Sequence, residues 1–308
     1  GGWLVDTVGW RSIFLINLPL GIAAAALALK LPADRGTEHA PPLDRRGSTL
    51  AVLALGALSY GLIALGEGAT RNGAIALVAA APLAWLFVRM EHRASAPMMP
   101  LTLFRNSSFS GANGLTVLLY AALSGALFLL PFLLIRVHGY SALAAGAAFL
   151  PFSAIMGLGS RRSGGLVGRF GSRAPLVVGP AITAAGFVVL GALAHNPSYL
   201  SGVLPGLLIM SVGMTIAVAP LTTTVLNAVP EGMSGTASGI NNAAARAGSL
   251  VAVAAIGLAI GGGAMDVDAG TLTHAYRTTM WTAAVLAALS AVTGAVTIPP
   301  RRTSSSGA

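Results

Sequence analysis

Nine apolar stretches, each long enough to cross a lipid bilayer, fill this 308-residue chain. A membrane-spanning helix needs roughly 20 mainly apolar residues to traverse a hydrocarbon layer of about 30 Å. The stretches are Ile13–Leu31, Ser48–Leu65, Gly73–Met90, Phe109–Val137, Leu143–Gly159, Pro175–Ala194, Tyr199–Leu221, Thr236–Gly262 and Thr278–Ile298. They are rich in Ala, Leu, Val and Gly and show no period of two, so helices rather than a membrane barrel are expected. Composition agrees: 55% of residues are hydrophobic and 9% charged, with a mean hydropathy of +0.79. A soluble domain carries about 25% charged residues and could not be built from this chain. The expected fold class is therefore an all-α membrane protein of about nine transmembrane helices.

The basic residues fall in alternate gaps. Lys30, Arg35, Arg45, Arg46, Arg89, Arg93, Arg105, Arg161, Arg162, Arg169, Arg173, Arg301 and Arg302 all lie on one side if the spans alternate. The other side holds Arg11, Arg71, Arg136 and Arg277, and Arg246 lies inside a span. Positive loops mark the cytoplasmic side, which puts the C-terminus inside and Gly1 outside. The gap Thr222–Gly235 is assigned inside yet carries no Lys or Arg. A net charge of +9 and a pI near 11.2 would suggest nucleic acid in a soluble protein, but here the charges serve topology and no nucleic-acid partner is expected. An odd number of spans, and a first residue that is not Met, suggest a fragment of a longer membrane protein.

Several chemistries are excluded or find no support. There is no cysteine, hence no disulfide, thiol nucleophile or thiolate metal site. No Gly-x-x-x-x-Gly-Lys phosphate loop occurs, so direct ATP use is not supported. No acidic or His cluster suited to catalysis stands out, and no catalytic residue is assigned. Asp266 and Asp268 suggest a solvated outer loop ahead of a metal pair, so no metal is assigned either. The first span is too long for the core of a secretory signal, and Asp6 and Arg11 precede it. Seventeen Arg against one Lys, with abundant Ala and Gly, fit a GC-rich bacterial genome.

The gaps divide the chain. Residues 1–31 hold one span and 32–47 a polar linker with Pro32, Pro41 and Pro42. Residues 48–90 form a two-span hairpin closed by Gly66–Asn72, and 91–108 a second polar loop. Six spans fill 109–298, and 299–308 is a short tail.

Against this layout, several motifs resemble the fourteen-span drug:proton antiporters (EmrB/QacA type) of the major facilitator superfamily. Gly1-Gly2-Trp3-Leu4 followed by Trp10-Arg11-Ser12-Ile13-Phe14-Leu15-Ile16-Asn17-Leu18-Pro19-Leu20-Gly21 resembles the junction of that family's fifth and sixth spans. Leu43-Asp44-Arg45-Arg46-Gly47 resembles its Asp-x-x-Gly linker start. Pro100-Leu101 through Leu103-Phe104-Arg105-Asn106 resembles the segment that introduces the second bundle. Pro230-Glu231-Gly232 with Gly235, Ala237, Ser238, Gly239 and Arg246 resembles the approach to its penultimate span. The resemblance implies the last span of an N-terminal bundle, two linker spans and a six-helix C-terminal bundle, with five spans missing. Gly1 and Gly2 would then be the remnant of a helix-packing motif.

Gly164-Gly165-Leu166-Val167-Gly168-Arg169-Phe170-Gly171-Ser172-Arg173 resembles the superfamily's loop motif Gly-x-Leu-x-Asp-Arg-x-Gly-Arg-Lys. Gly168 stands at the Asp position and Ser172 at an Arg position. Gly164, Gly168 and Gly171 would permit a tight turn and close helix approach, while Arg169 and Arg173 would act as a gating latch on carboxylates or helix C-termini. For Arg161 and Arg162 an ordinary basic loop competes equally with that role. Glycine pairs four apart (Gly202/Gly206, Gly235/Gly239, Gly257/Gly261) are read as helix-packing positions. Prolines within spans, among them Pro131, Pro151, Pro205 and Pro220, are read as kinks.

Polar groups inside a membrane are costly and default to functional candidates. Arg246, about two turns into its span beside Asn241 and Asn242, is the foremost: it would bind an anion, help couple protons, or snorkel to the interface. Asn113, Thr116 and Tyr120 recur at spacings of three and four and share one helical face. In the family's layout that span lines the central cavity. Thr222, Thr223, Thr224 and Asn227 close another cavity-side span or cap a helix end. Met210 and Met214 share a face suited to an adaptable apolar site or to ordinary core packing. No acid falls in the middle of a span, so the coupling acids would belong to the missing bundle.

The expected protein is thus a secondary active multidrug efflux transporter of the bacterial cell membrane, not an enzyme. It would exchange small lipophilic drug-like substrates for protons by alternating access, with the proton gradient as energy source and no cofactor. The alternatives are a metabolite exporter of the same fold or a non-transporting polytopic membrane protein.

Overall fold

The computed structural model describes residues 2–30, 44–94, 97–260 and 267–300. Gly1, the linker stretch 31–43 with Arg35, Gly261, Asp266, Arg301 and Arg302 lie outside the described residues, as does the tail from 301 on.

Eight helices are long and apolar enough to cross a membrane. In lipid, every backbone N–H and C=O must find a partner within the protein, and a helix meets that demand within one segment. The chain opens with three short helices, α1 (Gly2–Thr7), α2 (Ser12–Leu15) and α3 (Asn17–Ala28). Of the expected first span, Ile13–Leu31, the described part is the apolar helical stretch Ser12–Ala28, which passes through Ile16 in right-handed helical conformation. Pro19 lacks the N–H that would bond the Leu15 carbonyl, so the helix is weakened one turn upstream. Neither α2 nor α3 buries a residue.

α4 (Arg45–Gly66) and α5 (Thr70–Arg93) form the expected hairpin. They pack through glycine: a side chain on Gly61 would strike Leu77, and one on Gly73 would strike Leu65. The Asp-x-x-Gly stretch acquires a local meaning here. Asp44 is the N-cap of α4, its Oδ1 accepting from the Gly47 amide at 2.8 Å. Gly47 is required for a second reason, because a Cβ there would collide with both Asp44 Oδ2 and Glu91 Oε1. Glu91 belongs to the last turn of α5, not to the loop, and is 2% exposed. Its Oε2 accepts from the Met99 amide at 2.8 Å, while Oε1 has no hydrogen-bond partner.

A 3-10 turn, Leu101–Arg105, leads into the six-span bundle. Asn106 ends it as the N-cap of α6 (Ser107–Phe132), its Oδ1 accepting from Ser108 and Phe109. Its Nδ2 donates to the Ala228 carbonyl at 3.0 Å, tying the start of α6 to the end of a later helix. α6 continues through a π turn, Leu133–Val137, directly after Pro131. Then come α7 (Ala142–Ala147), α8 (Leu150–Gly164), α9 (Leu166–Phe170) and α10 (Arg173–Ala192). A second π turn, Tyr199–Val203, opens α11 (Leu204–Asn227), followed by α12 (Ser234–Ile260) and α13 (Ala269–Thr297). Pro151 and Pro205 sit in the first turns of α8 and α11, where a missing N–H costs nothing. They mark starts of segments rather than mid-helix kinks; Pro131, Pro180 and Pro220 are interior. α13 begins more than two turns before the expected Thr278, because Asp268 caps it through the amides of Gly270 and Thr271. His274 and Arg277 are consequently helical.

α6 packs against α12 and α13, α13 against α10, α10 against α11, and α11 against α8; α4 leans on α12. The α10–α11 seam is the tightest. Gly179 and Gly186 on α10 face Gly206 and Gly213 on α11, each pair seven residues apart. A Cβ on Gly186 would run into the Met210 backbone, and one on Gly213 into Thr183 and the Gly179 carbonyl. Met210 and Met214 are buried in this core with Phe187, Leu190 and Leu207. Of the expected glycine pairs, Gly206 packs against Leu190 and Gly202 against the Asn196 carbonyl, while Gly257 meets Gly66 of α4. Gly235 and Gly239 face open space and make no close helix contact.

Candidate functional site

Two polar stripes meet where α6 and α12 run side by side. Asn113, Thr116, Tyr120 and Ser124 descend α6 at spacings of three and four; Ser238, Asn242, Arg246 and Ser249 do so on α12, with Asn241 beside them. Asn241 Nδ2 donates to Thr116 Oγ1 at 2.7 Å and to Asn113 Oδ1 at 3.2 Å. Further along, Ser124 donates to Ser249 Oγ at 2.7 Å, and Ser249 passes its own proton to the Ala245 carbonyl at 2.9 Å. Asn113 and Thr116 are buried, so they clamp the helices rather than face a cavity. The Val117 carbonyl lies against Gly248, where no side chain would fit, which completes the close approach.

Beside this clamp, a cavity of about 330 Å³ opens between α6, α11 and α12. Tyr120, Thr222, Ser238, Asn241, Asn242, Arg246 and Ser249 line it, with Val225, Leu226 and Ala245. Four of the six expected cavity-lining residues (Tyr120, Asn241, Asn242 and Arg246) therefore converge on one site, while Asn113 and Thr116 stand behind it. Arg246 is exposed on this face and has no hydrogen bond or ion pair among the described residues. At the helical rise, Tyr120 and Arg246 lie about 20 Å along their helices from the arginine-rich end.

Thr222 joins this cavity, but Thr224 and Asn227 line a separate cavity of about 300 Å³ at the arginine-rich end, with Asn106 and Ser172. Thr223 and Thr224 bond carbonyls one turn back on their own helix, at Ala219 and Pro220. A larger groove of about 680 Å³ lies between α6, α12 and α13. Its walls are Val117, Ala121, Gly125, Val251, Ile256 and Leu286 with a few threonines and His274.

In the loop motif, Gly171 ends α9 with φ of 73°, a conformation that favours glycine and makes the tight turn into α10. Gly164 and Gly168 are not close-approach positions, since nothing lies within 4 Å of a Cβ built on either. Arg169 is exposed and Arg173 half-buried at the start of α10.

Three residues were missed from sequence. Ser238 and Ser249 continue the spacing of Asn242 and Arg246 and were readable from it. Glu91 was not, because its burial depends on the loop 97–100 folding back over α5.

On the opposite end, His138 follows the first π turn with Nε2 buried and unpartnered. Burial holds its ring below the ordinary value of 6.5, the Ala194 backbone opposes that, and His195 adds to it. His195 itself meets Arg277 at 3.2 Å. Asp268 is held below the usual carboxylate range by the Thr271 hydroxyl and the amides around it. It is the N-cap of α13.

Eight apolar helices, six of them interlocked about one core with a polar cavity on an open face, define a multi-pass membrane protein. The chain belongs to the Major Facilitator Superfamily, whose sequence profile matches residues 1–253. It is 38% identical over 260 residues to the "Multidrug resistance protein Stp" of Mycobacterium tuberculosis, covering 83% of this chain and 48% of that protein. It is 34% identical over 272 residues to the "Tetracenomycin C resistance and export protein" of Streptomyces glaucescens, covering 87% and 50%. With the "Lincomycin resistance protein" of Streptomyces lincolnensis it shares 34% identity over 297 residues, covering 94% and 61%. The chain spans about half the length of the curated relatives it matches.

Proposed function

We propose that this chain forms part of a secondary active drug exporter of the bacterial cell membrane, driven by the proton gradient without a cofactor. The observation that carries the reading is the cavity lined by Tyr120, Asn241, Asn242 and Arg246 on an open face of the bundle. Relatives named for multidrug resistance and for antibiotic resistance or export support it. Residues 109–298 supply one wall of the transport cavity, and a second bundle facing Tyr120 and Arg246 completes it. The two bundles rock about the cavity and expose it alternately to either side. The arginine-rich end faces the cytoplasm, and so does the C-terminus. Substrates are small, lipophilic and drug-like. Acids described at helix ends, Glu67, Glu91 and Asp268, are absent from the cavity lining, so the proton-coupling carboxylates belong to the second bundle. Arg169 and Arg173 latch one state of the rocking pair at the cytoplasmic side.

The test is ethidium efflux from energised cells stripped of their own exporters. It is run with residues 1–308 alone and with any reading frame that precedes them. Efflux that a protonophore abolishes is expected from the longer product and none from residues 1–308. Robust proton-dependent efflux from residues 1–308 refutes the need for a second bundle. Absence of efflux from every form, across a panel of dyes and antibiotics, refutes drug export.

A further inference from the structure

The hydrogen-bond inventory of the cavity narrows what it binds. Both N–H groups of Asn241 are committed, to Thr116 and Asn113. Thr222 donates to the Val218 carbonyl and Ser249 to that of Ala245. Asn242 spends one N–H on the Ser238 carbonyl. On the donor side the Arg246 guanidinium, the Tyr120 and Ser238 hydroxyls and the second Asn242 N–H remain unused; the unused acceptors, the side-chain amide oxygens of Asn241 and Asn242, are neutral. The lining contains no carboxylate, and Arg246 is its one formal charge. An ionised arginine at this depth is costly until an acceptor neutralises it, and its planar fork suits a carboxylate-like group bidentately. The volume, about 330 Å³, lies within the range of small-molecule sites.

Resting on the export reading above, we propose that this cavity takes the anionic group of the transported solute: a carboxylate, sulfonate, or ionised phenol or enol. Arg246 grips the charge, Tyr120 and Asn242 supply flanking donors, and the buried Asn113–Thr116–Asn241 clamp holds α12 in register with α6 so that these groups converge. A lipophilic cation finds no acceptor charge on this wall.

Binding is measured on residues 1–308 in nanodiscs of phosphatidylcholine, by fluorescence anisotropy of fluorescein as the anionic probe and ethidium as the cationic one. Saturable fluorescein binding is expected, weakened about tenfold or more by Arg246→Ala and Arg246→Gln and less by Arg246→Lys, as for loss of a charged hydrogen bond. Ethidium binding is expected to be no weaker in the variants. Equal fluorescein binding by the wild type and Arg246→Gln overturns the proposal, as does a wild-type preference for ethidium. Should Arg246→Ala fail to elute as a folded particle, the comparison of Arg246→Gln with Arg246→Lys decides, since these differ chiefly in charge. Adding phosphatidylglycerol to the nanodiscs separates solute from lipid: displacement of fluorescein by that lipid in the wild type assigns the site to a headgroup and overturns the solute assignment. In whole cells, ethidium export with no Arg246-dependent fluorescein export sinks this inference and leaves the export reading standing. Export of neither probe nor any drug removes both.

Discussion

Asn241 of α12 donates to the Thr116 hydroxyl of α6 across 2.7 Å, placing an amide from one helix inside a buried notch of another. Interhelical hydrogen bonds in membranes are worth about 0.6 kcal/mol on average and up to about 2. A double-mutant cycle of Asn241→Ala and Thr116→Val, followed by thermal unfolding in detergent, is expected to return a coupling energy of about 0.5–2 kcal/mol. A coupling indistinguishable from zero would show that the pair is incidental.

Gly186 leaves no space for a Cβ against the Met210 backbone, whereas Gly235 looks into open space. Overpacking a close-fitting core costs typically about 1–3 kcal/mol. Gly186→Ala is expected to destabilise the fold by about that much and so lower the melting temperature, and Gly235→Ala to leave it within experimental scatter. Equal melting temperatures for the two variants would contradict the glycine seam.

Glu91 accepts from the Met99 amide with one oxygen while the other faces Asp44 across Gly47 without a partner. Glu91→Gln keeps an acceptor for Met99, gains a donor toward Asp44 and removes repulsion between the two carboxylates. It is expected to match or exceed the wild type in stability. Glu91→Ala strands the Met99 amide and costs about 1–3 kcal/mol. Chemical or thermal unfolding ranks the three proteins, and a glutamine variant weaker than the alanine one would reverse the argument.

His138 has its proton affinity depressed chiefly by burial. The folded state therefore binds this proton less readily than the unfolded chain, so stability is present above the ordinary value of 6.5 and is lost as the pH falls below it. His138→Gln is expected to flatten that part of the stability–pH curve. A curve of unchanged slope between pH 7 and pH 5 in the variant would assign the dependence to another group.

The apolar helices were legible because hydrophobic length is a local property of the chain; their internal irregularities were less so, since a residue such as Pro19 removes one backbone bond yet barely alters the mean hydropathy. Tyr120, Asn241, Asn242 and Arg246 were readable as a site because polar residues at spacings of three and four are conspicuous in an apolar helix. What hydropathy and spacing left undecided was which of them look inward and which are buried behind. Asn113 and Thr116 share the helical face of Tyr120, and only their contact with α12 distinguishes clamp from lining. Glu91 escaped because burial of a helix-end carboxylate is decided by a loop that passes over it. Gly186 and Gly213 escaped as well, since a spacing of seven spread over two helices leaves no short motif.

The glycine seam also restricts how the bundle can move. With Gly179, Gly186, Gly206 and Gly213 bringing two backbones into contact, α10 and α11 cannot slide past one another without steric collision; they turn together as a single beam. Any bending is then left to places where the helical ladder is already irregular, the π turns at Leu133–Val137 and Tyr199–Val203 and the interior prolines. Both π turns lie at the end of the bundle opposite Arg105, Arg169 and Arg173, which gives that end the greater compliance and leaves the arginine-rich end as the handle by which the beam is swung.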